Sequence, residues 1–194
     1  MRLVRSCKNF LKRHSGKPAM LYGYKIPGGK YLPHTRVSNS TFIGCRKKLK
    51  IADHVFIGHF NFLDSCNGLS IGEGCQITNY ISILTHSSHI AIRLYGKSYI
   101  ENKEHVGYEK GSVEIGNYSF IGPHSVVAPC TIIGKGSLVT AYSYVNGSFP
   151  DFSILSGNPA KVVGSTRDHD QRYLRDHPEL EEVYNSWASD IQNR

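Results

Sequence analysis

Two histidines, His86 and His89, stand three residues apart at the head of a long polar and aromatic stretch covering residues 84–114. An imidazole titrates near neutrality. Either ring therefore suits the removal of a proton from a hydroxyl that is otherwise a poor nucleophile. Two histidines at this spacing also suit a metal, but no third ligand lies nearby in a recognised spacing, and no metal is expected. Five cysteines, at 7, 45, 66, 75 and 130, are odd in number and scattered, without a CxxC pair. They read as reduced thiols of a cytosolic protein.

Charge divides the chain unevenly. The 194 residues carry 23 Lys and Arg against 15 Asp and Glu, yet residues 1–50 hold 13 of the basic residues and no acid; the first acid is Asp53. That excludes a protein basic throughout, as a nucleic-acid packer is. The basic part has no helix-turn-helix, zinc-finger or ribonucleoprotein signature, so no nucleic acid is expected. A solvated arm, attraction to anionic lipid at the inner membrane face, and attraction to acidic glycans or phosphates remain as readings. No apolar run approaches a membrane span and no apolar core of a secretory signal is present, so the expected location is cytoplasmic.

The elements that hold the histidines declare themselves by a repeat. From Ile115 an aliphatic recurs every six residues: Ile115, Ile121, Val127, Ile133, Val139 and Val145. The next residue is small or a turn former (Gly116, Gly122, Ala128, Gly134), and a small hydroxyl follows four after the aliphatic (Ser119, Ser125, Thr131, Ser137, Ser143). The same step runs through Ile51, Ile57 and Leu63 and through Ile71, Ile77 and Ile83, with Val37 and Ile43 as its start. Six is no helix period, and this density of Gly and β-branched residues opposes helix. Short strands joined by tight turns fit. Three hexads make an 18-residue coil, and because one coil cannot bury its own face, coils must stack. The small residue is expected to permit the turn.

The tandem aliphatic-Gly-x-x-Ser/Thr-x pattern resembles the hexapeptide-repeat acyltransferases over roughly residues 37–164. The resemblance implies an all-β solenoid, a left-handed parallel β-helix, assembled as a homotrimer and using acetyl-CoA as donor. The expected organisation is a basic segment at 1–36, the β-helix at 37–164 with an inserted loop at 84–114, and a helical segment at 165–194. A C-terminal helix is expected to start at Asp176-His177-Pro178 and to carry one stripe of Tyr173, His177, Leu180, Tyr184, Trp187 and Ile191.

Within the family, Ile-Leu-Thr-His at 83–86 is similar to the pattern that carries the histidine of the capsular and lipopolysaccharide sugar O-acetyltransferases. That points to His86 as general base, with His89 as the rival. The stretch IGHFNFLDSCNG resembles the segment lining the acceptor pocket, which implicates Asn61, and Asp64 either as acceptor contact or as partner to the histidine. The closing coils, through Gly-Asn-Pro-Ala-Lys at 157–161, resemble the donor-binding half. Carried over, Phe120, Gly122, Pro123, Ala141, Asn146 and Gly147 border acetyl-CoA and Lys161 meets its phosphates. Two positions depart from the pattern: Gly147 stands where relatives commonly have Lys, and Phe120 where they often have Trp. The implied activity is O-acetylation of a sugar, in a surface polysaccharide or a small saccharide. An N-acetyltransferase of a nucleotide-linked amino sugar and a non-catalytic β-helical scaffold or polyanion-binding module stand as alternatives.

Overall fold

The computed structural model describes residues 16–189. Expectations resting on Cys7, on the rest of residues 1–15 or on Ile191 lie outside the described residues.

Successive short strands enter three parallel sheets in fixed rotation. Phe56–Ile57, Phe62–Asp64 and Leu69–Ile71 open in the first, second and third sheets, and Gln76–Ile77 returns to the first. The repeat's aliphatics form one inward column per sheet. Ile57, Ile77, Ile121 and Val139 pair along the first, Leu63, Ile83, Val127 and Val145 along the second, and Ile51, Ile71, Ile115 and Ile133 along the third. All are buried. Three such side chains stabilise one coil by about 5–9 kcal/mol, against roughly 20–40 kcal/mol for ordering its backbone. No coil stands alone, and the ladder hydrogen bonds to its neighbours are as necessary as the core.

The hydroxyls of the repeat are buried and serve the same stacking. Ser119, Ser125 and Thr131 donate to the carbonyls of Gly134, Thr140 and Val145 on the next coil. The small residue works differently from the expectation. At 121–125 the left-handed residue is His124, with φ 60°, whereas Gly122 has no positive φ. A Cβ on Gly122 would meet the Ala141 nitrogen at 2.6 Å and the Val139 oxygen at 2.7 Å. The position is small so that coils can approach, and aromatic or imidazole side chains occupy the left-handed site instead. Phe60, Tyr80, His124 and Tyr142 repeat it at the corner between the first and second sheets and stack outside the coil, with ring centroids 5.2, 4.8 and 4.8 Å apart.

Coil length also departs from 18 in the early turns. Val127 pairs with Val145, 18 residues on, but Ile43 pairs with Leu63 and Leu63 with Ile83, each 20 on. The added residues fall at the corner between the second and third sheets, at 45–48 and 65–68, where the aliphatic step widens from six to eight. One coil further, the whole arm leaves from this corner, between Ile83 and Ile115. The basic residues at that corner form the 3-10 helix Arg46–Lys48, with Lys50 on the strand Leu49–Ile51.

Antiparallel hairpins close both ends of the first sheet. Met20–Lys25 pairs with Tyr31–Ser38 ahead of the first coil, and Ser153–Gly157 pairs with Ala160–Ser165 after the last. The boundary expected at residue 37 falls inside the strand Tyr31–Ser38, which continues into the coil by pairing with Phe56–Ile57.

The C-terminal segment is two α-helices, not one. Thr166–Asp176 starts on Ser165, whose side chain accepts from the Arg167 N–H, and a second helix covers Glu181–Ala188. The first ends where a helix was expected to begin, because Pro178 disfavours helical geometry in the residue before it; His177 sits at φ −135°, ψ 64°. The expected stripe is accordingly split. Trp187 packs on the last coils, 4.5 Å from Tyr118 and 5.8 Å from Phe152, whereas Tyr173 is largely exposed. No described helix is long and apolar enough to cross a membrane.

The cysteines correct a further expectation. Cys45 and Cys66 form a disulfide, their Cα atoms 4.9 Å apart on successive coils. They are scattered along the chain, but stacking puts both at the same widened corner. Cys75 is buried and its thiol is pushed up to about 11 by burial, while Cys130 is exposed.

Candidate active site

The widened corner collects the chemistry. Asp64 ends the strand Phe62–Asp64, and His86 opens the two-residue strand His86–Ser87 one coil on. A short antiparallel pairing of His86–Ser87 with Glu109–Lys110 pins both ends of the arm. Between them lie the helix Ala91–Tyr95 and the 3-10 turn Gly96–Glu101, so the expected loop is ordered and partly helical.

The Asp64 carboxylate is 3% exposed and accepts four hydrogen bonds. Oδ1 takes the Cys66 N–H at 2.9 Å. Oδ2 takes the Thr85 N–H at 3.0 Å, the Thr85 hydroxyl, and His86 Nδ1 at 2.7 Å. Burial pushes the carboxyl up, but the bonds from Thr85, Cys66 and His86 outweigh it and hold Asp64 below its ordinary value. An ionised carboxylate only accepts, so the His86 proton sits on Nδ1 and Nε2 carries the lone pair. The His86 side chain is 42% exposed, so the ring reaches solvent while its orienter does not. Tyr108 stacks on it, with ring centroids 5.8 Å apart and planes within 9°. Lys110 lies over the other ring of that stack, its Nζ 5.2 Å from the centre of Tyr108.

His89 has a different setting. It is exposed, its Nδ1 meets the Ser87 hydroxyl at 2.8 Å, and no carboxylate among the described residues orients it. Asn61 departs from its expected place in an acceptor pocket. It is 3% exposed, its amide donates to the Thr78 carbonyl, and its oxygen accepts the Ile81 N–H. Asn61 is thus an internal strut between coils. Asp64 hydrogen-bonds His86, the contact that one of its two expected roles requires.

The residues expected to border the donor fall at two corners. Gly122, Pro123 and Ala141 lie at the corner between the first and second sheets, and Lys161, exposed, is on the strand that closes the first sheet. Gly122 donates its N–H to Val139 and Pro123 accepts from Tyr142, both inside the stack. Phe120 points outward beside them, facing a pocket of about 530 Å³ shared with Tyr118, Leu138 and Trp187. Asn146 and Gly147 lie instead at the corner of His86, following Tyr144–Val145 in the second sheet.

Sequence reasoning passed over Thr85, Cys66 and Tyr108. Thr85 was present in the Thr-His pattern, but only the coil register brings its two donors onto Asp64. Tyr108 was one of several aromatics in the arm, and nothing in its spacing indicated a partner 22 residues upstream.

Comparison with known proteins agrees with this architecture. Residues 112–147 match the family model described as Bacterial transferase hexapeptide (six repeats). The chain is 29% identical over 114 residues to the protein named Putative lipopolysaccharide biosynthesis O-acetyl transferase WbbJ from Escherichia coli (strain K12), a match that covers 58% of each chain. It is 30% identical over 118 residues to Probable acetyltransferase Rv3034c from Mycobacterium tuberculosis, covering 59% of this chain and 36% of that one. The chain thus spans little more than half of WbbJ and about a third of Rv3034c. Among solved structures, the Vibrio cholerae hexapeptide-repeat acetyltransferase VCA0836, complexed with acetyl coenzyme A, is similar with a TM-score of 0.57 at 24% identity over 64% of each chain. The Bacillus cereus N-acyltransferase AntD, in complex with dTDP and 3-hydroxybutyryl-CoA, is similar with a TM-score of 0.52 at 17% identity, over 75% of this chain and 89% of that one. These two likenesses are of fold. The chain carries the hexapeptide repeat and resembles the bacterial acetyltransferases built on it.

Proposed function

We propose that this protein is an acetyl-CoA-dependent acyltransferase that acetylates a sugar hydroxyl, with His86 as general base. The observation that carries the reading is the buried, ionised Asp64 holding the Nδ1–H of a solvent-facing His86. Acetyl-CoA supplies the activated acyl group as a thioester. Nε2 of His86 takes the acceptor's proton as the hydroxyl oxygen bonds to the acyl carbon, and Asp64 stabilises the imidazolium that forms. The carbon–sulfur bond then breaks, and His86 returns the proton to the departing thiolate. No acyl-enzyme is needed.

The donor reading rests on Phe120, Gly122, Pro123, Ala141 and Lys161 along one corner. They lie apart from His86, which favours a homotrimer in which a neighbouring copy brings its donor corner to this histidine. Phe42, Phe62 and Tyr144, exposed on the outer face of the second sheet, suit such a contact. The exposed Arg46, Lys47 and Lys48, tied to the corner through the Cys45–Cys66 disulfide, favour an anionic acceptor such as a charged surface polysaccharide.

The test is release of coenzyme A thiol with saccharide acceptors. His86→Ala is expected to lower kcat about 10²–10⁴-fold, and His89→Ala to change it little. The opposite ranking would remove His86 from the role. A small loss in His86→Ala alongside activity on an amino sugar would favour the N-acyl reading suggested by the likeness to AntD. Failure of acetyl-CoA to raise the thermal midpoint would favour a non-catalytic scaffold.

A further inference from the structure

A second constellation lies at a different corner, between the third and first sheets. His34 is on the strand Tyr31–Ser38, and Asp53 and His54 form the turn that follows Leu49–Ile51. His34 Nδ1 stands 3.1 Å from Asp53 Oδ2. The two imidazoles stack, with centroids 4.4 Å apart and planes within 10°. One ligating atom from each of the three residues lies within 4.8 Å of the other two.

The carboxylate is held for this arrangement. Its Oδ1 accepts the His34 N–H at 3.0 Å, the His54 N–H at 2.9 Å and the Thr35 hydroxyl at 3.0 Å. Three donors on one oxygen fix the plane of the group and present Oδ2 to the imidazoles. Orientation of a first ligand by such outer hydrogen bonds is the usual support of a metal site. Coil stacking is necessary to it, because His34 and Asp53 are 19 residues apart and belong to consecutive turns of the chain.

We propose that His34, Asp53 and His54 bind one divalent transition cation, zinc or nickel in preference to calcium or magnesium. Two imidazole nitrogens and one carboxylate oxygen match borderline cations, whereas calcium and magnesium require near-complete oxygen shells. The ion takes the place of the proton between His34 Nδ1 and Asp53 Oδ2. The rings now meet face to face, so His54 turns its edge toward Oδ2, and its exposure leaves room for that rotation. Water completes the shell. Occupied, the site fastens the N-terminal hairpin to the corner of the first coil and adds to stability by mass action. The other cluster of potential ligands among the described residues, Cys45, Asp64 and Cys66, is closed by the disulfide and by His86 on the carboxylate.

The experiment uses the full chain without an affinity tag, stripped with EDTA. Zinc chloride is titrated by calorimetry, with thermal denaturation in parallel and calcium and magnesium as controls. The expected result is one zinc per chain with Kd on the order of 1 μM and a raised midpoint, with neither effect from the controls. His34→Ala/His54→Ala removes two exposed rings with their stacking and the His34–Asp53 bond, and places Ala at the positive φ of residue 54, so a modestly lower metal-free midpoint is expected. It is expected to weaken zinc about 100-fold or more and to lose the rise in midpoint on zinc addition. His86→Ala/His89→Ala is expected to bind zinc as the parent does. Equal zinc affinity in parent and His34→Ala/His54→Ala, loss of zinc in His86→Ala/His89→Ala, or no binding below millimolar zinc would each overturn the proposal.

Discussion

Asp64→Asn is the substitution that tests the candidate site most directly. Asparagine keeps the shape and one acceptor oxygen. If its amide nitrogen took the Oδ2 position, it would face the Thr85 N–H, the Thr85 hydroxyl and His86 Nδ1–H, three donors against a donor. The amide therefore turns its oxygen to that side and sets its nitrogen against the Cys66 N–H. That placement sets two donors, the new amide and the Cys66 N–H, against each other and leaves both unmatched, costing about 1–3 kcal/mol or more of folding stability. The His86 tautomer survives it, so the rate loss comes from the missing negative charge. An imidazolium about 4 Å from a carboxylate gains roughly 4 kcal/mol at an effective dielectric constant near 20, and about half of that if solvent reaches the pair. The half-exposed ring makes the lower figure relevant, so about 2–4 kcal/mol of transition-state stabilisation is at stake. That corresponds to a kcat lowered roughly 30- to 1,000-fold. The assay is steady-state thiol release, with acetyl-CoA binding measured by thermal shift and expected to hold. A kcat within about threefold of the parent's would refute the orienting role of Asp64.

Three further outcomes follow from the packing and the charge. Reduction of Cys45–Cys66, or its replacement by serines, opens a cross-link spanning 21 residues and is expected to cost about 3 kcal/mol, read as a lower urea midpoint. Gly122→Ala forces a Cβ onto backbone atoms of the next coil and is expected to destabilise by about 1–3 kcal/mol, whereas Gly28→Ala, which meets no atom within 4 Å, is expected to cost less despite its positive φ. Asp64 has its folded-state pKa lowered from 3.8, so its contribution to stability is full above that value and is lost as pH falls through the lower folded-state value. The parent is therefore expected to lose more stability than Asp64→Asn as pH falls below 3.8, by urea titration at each pH.

The coil was legible because one aliphatic in six has no other place to go than inward, and Ile115 to Val145 kept that frame without interruption. His86 stands out as a candidate because it follows a strand of that frame, at the point where the frame breaks. What stayed hidden depended on register between coils. Asp64 carried two open roles, and Asn61 was assigned to an acceptor pocket, because sequence gives neither the vertical neighbour nor the side of the backbone a turn residue faces. The Cys45–Cys66 pairing was hidden for the same reason: a 20-residue coil places positions 21 apart side by side, and the extra two residues at each early corner were not counted into the repeat. The C-terminal helix departs from its expected start because Pro178, which suits the first turn of a helix, also ends the one that precedes it.

The two antiparallel hairpins have a consequence for assembly. A stack of parallel coils has no intrinsic length, since the last coil presents the same row of N–H and C=O groups that received it, and another chain can continue the series. Reversing the strand direction at both ends of the first sheet, with Met20–Lys25 and Ala160–Ser165 outermost, gives a second molecule no parallel edge to extend there. In the first sheet the hairpins thus replace an open parallel edge at both ends of the described stack, so that sheet offers no in-register site for a further parallel coil.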